Sequence, residues 1–225
     1  MKLSEKWAEI WDELRSVLSG KTIDALLPPI LYAVVNAIFG LGTAVITALA
    51  AALILFFYRI MRKQAWTYAL GGMLAVVLAA GLAWLTRNAA SYFIPAMVGS
   101  GLLLVGSVLT VVIGKPLAAW ASHLTRGWTL DWFWRRDVKP AYVEVTLLWV
   151  LFFGARLILQ FLLFQRGDAA TLAWANTLLG WPVTIIVLVL SYVYGIWRLR
   201  RLGGPGVDEF IEGVEPPWKG QTKGF

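Results

Sequence analysis

A chain of 225 residues with 59% apolar and only 15% charged side chains, at a mean hydropathy of +0.70, carries more hydrophobic surface than a soluble domain of this size can bury, which makes it an integral membrane protein. The lack of cysteine excludes disulfides, thiolate metal sites and cysteine nucleophiles, and the single histidine, His123, excludes a multi-histidine metal centre within one chain; no metal and no cofactor are expected. The net charge of +7 would suggest nucleic acid in a soluble protein, but here Lys and Arg cluster between apolar runs, so the expected partner is the lipid bilayer with its anionic leaflet and not nucleic acid.

At the start of the chain Glu5, Glu9, Asp12 and Glu13 interrupt any apolar core of a cleavable signal sequence, leaving insertion to retained helices. From Ser4 to Leu18 the residues Trp7, Ile10, Trp11, Leu14, Val17 and Leu18 recur at helical spacing. Residues 1–22 therefore read as an amphipathic helix, lying on the cytoplasmic membrane surface with Trp7 and Trp11 at the lipid interface or packed on the protein's own loops. Ala25 to Tyr58 holds no charge over 34 residues, about 51 Å as helix, where two full crossings need about 60 Å. The expected solution is a helical hairpin turning near Gly40 and Gly42, with a short first arm from Pro28 and Pro29 that spans or is re-entrant. Four further spans follow: Trp66 to Leu85, Phe93 to Ile113, Ala141 to Phe164 and Leu172 to Trp197. Between the fourth and fifth spans, a short amphipathic stretch (Pro116 to Thr125) precedes Trp128, Trp132, Phe133, Trp134, Arg135 and Arg136, which together read as a surface-lying belt with basic anchors at the lipid interface.

Seventeen of the twenty Lys and Arg residues fall on one side of this arrangement, Arg87 and Arg166 on the other, and Arg156 within a span. The positive-inside rule then sets both termini in the cytoplasm. The expected fold is an all-α polytopic bundle of about six transmembrane helices over residues 23–201. A flexible cytoplasmic tail over 202–225 is expected from its Gly and Pro content. Small residues at four-residue spacing (Gly40, Ala44, Ala48, Ala52; Gly71, Ala75, Ala79, Ala83) provide tracks for close helix approach, within the chain or in a homo-oligomer.

Arg156 is the most informative residue for chemistry, because a cation inside a span costs about 2.5–3.5 kcal/mol to insert. No carboxylate shares its depth, but the amides of Asn36, Gln160 and Asn176 do; the expectation is one intramembrane polar cluster, serving as packing glue or as an anion site. Glu144 is an interfacial acid expected to cap the fifth span or to pair with Arg135, Arg136 or Lys139. His123 lacks a Ser and Asp relay, and Gly99-Ser100-Gly101 fails the serine-hydrolase elbow because position 98 is Val. No catalytic residue is assigned.

Leu26-Leu-Pro-Pro-Ile30, Gly114-Lys-Pro-Leu117, Trp134-Arg-Arg-Asp137, Arg156-Leu-Ile-Leu-Gln160 and Gly180-Trp-Pro182, in this order over roughly residues 23 to 200, resemble the bacterial membrane family catalogued as domain of unknown function 3159. The Lys-Pro-Leu after the fourth span and the hydropathy are more distantly similar to intracellular septation protein A, an inner-membrane protein linked to envelope synthesis and division. The resemblance implies a multi-pass plasma-membrane protein of a bacterium. The expected function is that of a non-enzymatic, envelope-associated scaffold or accessory protein working with other envelope membrane proteins. The alternative is a small-solute or ion transporter built around Arg156.

Overall fold

The computed structural model describes residues 21–63, 65–221 and 224–225, and these are almost entirely helical. The expected N-terminal amphipathic helix, with Trp7 and Trp11, lies outside the described residues. Among the described residues there are nine α-helices: α1 (Lys21–Met61), α2 (Trp66–Thr86), α3 (Ile94–Val112), α4 (Leu117–Arg126), α5 (Leu130–Phe133), α6 (Lys139–Gln165), α7 (Ala169–Leu178), α8 (Trp181–Leu202) and α9 (Val207–Ile211), with a 3-10 turn at Ala89–Phe93 before α3. Five stretches are long and apolar enough to cross a membrane: Pro28–Met61, Trp66–Thr86, Ala89–Val112, Lys139–Gln165 and Ala169–Leu202. With the short arm that opens α1, this is the all-α polytopic bundle of roughly six helices that the hydropathy dictates.

Two of the stretches are broken helices. In α1 the helical backbone fails at Gly40, at φ 80° and ψ 175°, a conformation essentially confined to glycine. The second break falls between α7 and α8, inside what the hydropathy reads as one continuous span. Pro182 there cannot donate to the preceding turn, and a Cβ on Gly180 would come within 2.6 Å of the Asn176 carbonyl oxygen.

The chain folds as two compact units. The first comprises residues up to Met97 together with Gln160–Trp181. In it α1 packs antiparallel on α2, with Arg59 beside Tyr68 at one end and Gly42 beside Trp84 at the other. Ala44, Ala48, Ala79, Ala80 and Ala83 fill the shared core. Small side chains are needed there because lipid gives helices no hydrophobic drive to associate, leaving close backbone approach to do so. On the α2 track, Ala79 and Ala83 are buried in this seam, whereas Gly71 and Ala75 are exposed. Arg87, left-handed at φ 52°, ends α2, and the Asn88 side chain caps the following turn by accepting from the Ala90 N–H at 2.9 Å.

That turn organises the arm before Gly40. The Tyr32 hydroxyl donates to the Ala89 carbonyl at 3.0 Å, and its ring stacks on Tyr92 at 4.0 Å. Tyr32 lies eight residues before Gly40, about 12 Å along a helix, yet it contacts the end of the α1–α2 pair where Gly40 itself sits. The first arm is thus tied to the turn at that end of the pair. Helix α7 packs on the same arm and turn, adding Leu172 and Ala173 to the core. Asp168 starts it, accepting from the Thr171 N–H at 2.9 Å; hydrogen bonding to the Thr171 side chain first, and to its N–H second, holds this carboxyl below the usual carboxylate range.

The second unit comprises Val98–Leu159 and Pro182–Phe225. Leucine side chains bridge α3 and α6: a Cβ on Gly101 would lie in ordinary contact with Leu157, and one on Gly154 with Leu104, each at 3.8 Å. Trp149 Nε1 donates to Ser191 Oγ at 2.9 Å, joining α6 to α8. Helix α4 is tied to α6 because Thr146 Oγ1 accepts from the Ala118 N–H at 3.1 Å, satisfying one of the donors that a helix start leaves open.

Candidate functional site

Outside the spans, α4, α5, α9 and the last residues build an aromatic platform on the ends of α6 and α8. Trp132, Phe133 and Tyr142 are fully buried in it. Phe133 meets Tyr142 edge-on at 5.0 Å, and Tyr142 stacks on Phe225 at 4.3 Å. A buried indole N–H needs an acceptor, and Trp132 Nε1 finds the Pro205 carbonyl at 2.9 Å.

This corrects two expectations. Trp132 faces protein and not lipid, while Trp128, Trp134 and Arg135 are half-buried and only Arg136 remains exposed. Arg135 is bound by Asp137 at 2.7 and 2.9 Å and lies 5.3 Å over the Trp218 ring. The pairing holds the Asp137 carboxyl below its ordinary range. Nor are the described residues after Leu202 free chain. The Glu209 carboxylate accepts from the N–H groups of Gly206, Lys219 and Gly220 at 2.8–3.1 Å, bonds that keep its pKa below the usual carboxylate value. Arg126 Nε donates to the Phe225 carbonyl at 3.1 Å. The physical reason is that the aromatic surface of α5 and α6 is too large to leave wet, and this segment covers it.

Glu144 also departs from expectation. Its partners are on α8 and not in the preceding loop: Arg198 donates to it through Nε and Nη2 at 2.8–3.0 Å, and the Tyr194 hydroxyl donates at 2.6 Å. A bidentate guanidinium plus a phenol satisfies the carboxylate, which makes Glu144 a clamp between helices. His123 Nδ1 lies 2.6 Å from the Trp128 carbonyl; that acceptor fixes the proton on Nδ1, and the residue ties α4 to the loop after it.

Of the four residues expected in one polar cluster, two are joined. Gln160 Nε2 donates to Asn176 Oδ1 at 2.6 Å, and Asn176 Nδ2 donates to the Leu172 carbonyl at 2.8 Å. The second bond fixes the Asn176 amide, and with it that of Gln160, whose Oε1 is sealed without a donor among the described residues. Asn36 is half-buried and takes no part in that bond. Arg156 belongs to the other unit, half-buried, with its Nε sealed and lacking an acceptor among the described residues. The described residues contain no group of three His, Asp or Glu side chains placed to hold a metal.

One residue sequence reasoning passed over is Arg59, counted only among the seventeen cations on one side. It is 6% exposed, buried as deeply as the core. The available signal was a deficit: no Asp or Glu occurs between Asp24 and Asp131.

A bundle of apolar, partly broken helices carrying an ordered platform beyond its spans is a polytopic helical membrane protein. A family model described as "Protein of unknown function (DUF3159)" matches residues 19–200, and the chain belongs to that family. No curated protein and no solved structure matches it.

Proposed function

We propose that this is a multi-pass plasma-membrane protein of a bacterium, with both termini cytoplasmic, that acts without catalysis as an envelope-associated scaffold or accessory protein. The observation that carries this reading is the platform: Trp132 and Phe133 are fully buried outside the spans, under a segment that the composition alone would leave free. Ordering such a segment costs about 1–2 kcal/mol per residue in backbone entropy, and the return is a rigid protein surface at the end of the bundle, suited to docking other envelope proteins. The charge asymmetry supports a cytoplasmic platform, since Arg126, Arg135, Arg136, Arg200 and Arg201 all belong to it or border it.

A second reading, transport, is favoured by two observations: two spans are interrupted, at Gly40 and before Trp181, as in transporters whose broken helices line a substrate site, and Arg156 Nε lacks an acceptor among the described residues. Liposomes containing the purified wild type or Arg156→Ala, assayed for solute uptake and ion leak, separate the two. The scaffold reading expects both to match protein-free liposomes; a flux in the wild type that Arg156→Ala abolishes would replace it with transport.

A further inference from the structure

The turn from α1 to α2 carries three cations, Arg59, Arg62 and Lys63, for which the described side chains supply no counter-ion. The ion pairs among the described residues join Arg135 to Asp137 and Arg198 to Glu144. In this unit the carboxylate whose side chain is described, Asp168, starts α7 beside the 3-10 turn, at the opposite end of α2, about 31 Å away along the helix. Arg59 is the demanding member. It is 6% exposed, its Nε is sealed with no acceptor among the described residues, and its guanidinium lies 4.9 Å over the Tyr68 ring. It occupies a notch left by Gly72, where a Cβ would come within 2.5 Å of Nη1. The ring face offsets only part of the cost of burying a cation, so the arrangement calls for an anionic acceptor from beyond the described side chains.

The surroundings say which kind. Arg62, exposed, stands at the rim 5.4 Å from the Tyr58 ring. Trp66 and Tyr68 are 67% and 44% exposed, amphipathic rings of the type that sit at headgroup level. Phe57 and Ile60, 56% and 43% exposed at the end of the span, offer apolar surface to acyl chains. We propose that the Arg59 notch, with Arg62 and Lys63 at its rim, binds the phosphate of an anionic phospholipid headgroup. Basic sites at this level between helices suit such headgroups, and the guanidinium fork suits phosphate oxygens.

The test uses the full chain in detergent, titrated with phosphatidylglycerol or phosphatidylcholine and read by native mass spectrometry and thermal unfolding. Phosphatidylglycerol is expected to bind and raise Tm more than phosphatidylcholine, with affinity falling about fivefold per charge removed in Arg59→Gln and in Arg62→Gln/Lys63→Gln. Arg200→Gln/Arg201→Gln, which removes two charges elsewhere, should bind like the wild type. If Arg59→Gln does not fold, the rim double variant decides alone. Equal binding of the two lipids, an equal loss in Arg200→Gln/Arg201→Gln, unchanged affinity in the rim variant, or displacement of phosphatidylglycerol by millimolar inorganic phosphate would each overturn the proposal, the last by assigning the notch to free phosphate.

Discussion

The Gln160 and Asn176 amides illustrate what a polar residue does in hydrocarbon. Each would be costly alone, and their bond at 2.6 Å ties the end of α6 to α7. Such bonds average about 0.6 kcal/mol in membrane proteins and reach about 1.7. A double-mutant cycle with Gln160→Leu and Asn176→Leu, measured by thermal or denaturant unfolding in detergent, should give a coupling of about 1 kcal/mol; a coupling near zero would mean that the bond contributes nothing. Helical register made this pair legible from sequence, because both residues fall at one depth of neighbouring antiparallel spans. Register could not reveal that Glu144 pairs with Arg198, fifty-four residues on, because depth alone does not choose among neighbouring cations. Nor could it show that Trp132 turns inward, since an aromatic run beside Arg135 and Arg136 has the same composition whether it faces lipid or lies under a covering segment.

At the scale of elements, apolar runs and their flanking charges located the spans, since hydrocarbon leaves the backbone no choice but helix. The segment after Leu202 was not legible, because Gly and Pro content reports local stiffness and says nothing of distant partners. Its order comes from contacts far along the chain, among them Trp132 with Pro205 and Arg126 with Phe225. Gly195 makes room for the last of these residues, since a Cβ there would overlap the Phe225 ring. Gly195→Leu should therefore unseat Phe225 from Tyr142, lower stability by about 1–3 kcal/mol as overpacking does, and expose the segment to limited proteolysis. If proteolysis of residues 203–225 were unchanged in that variant, Phe225 would not be what holds the segment down.

For the whole molecule, lipid as solvent underlies the helical fold, and the proposed topology sorts the cations to one face. The long apolar helices carry the architecture, and the platform, the paired amides and the Arg59 notch are what the individual side chains add to it. Because the chain contains no cysteine, Arg62→Cys, Arg87→Cys and Arg166→Cys can each be labelled singly with a membrane-impermeant maleimide in intact cells and after permeabilisation. The Arg87→Cys and Arg166→Cys variants should react from outside, and Arg62→Cys only once the membrane is opened. Labelling of the Arg62→Cys variant in intact cells, or of the Arg87→Cys and Arg166→Cys variants from opposite sides, would contradict the arrangement of spans on which the rest depends.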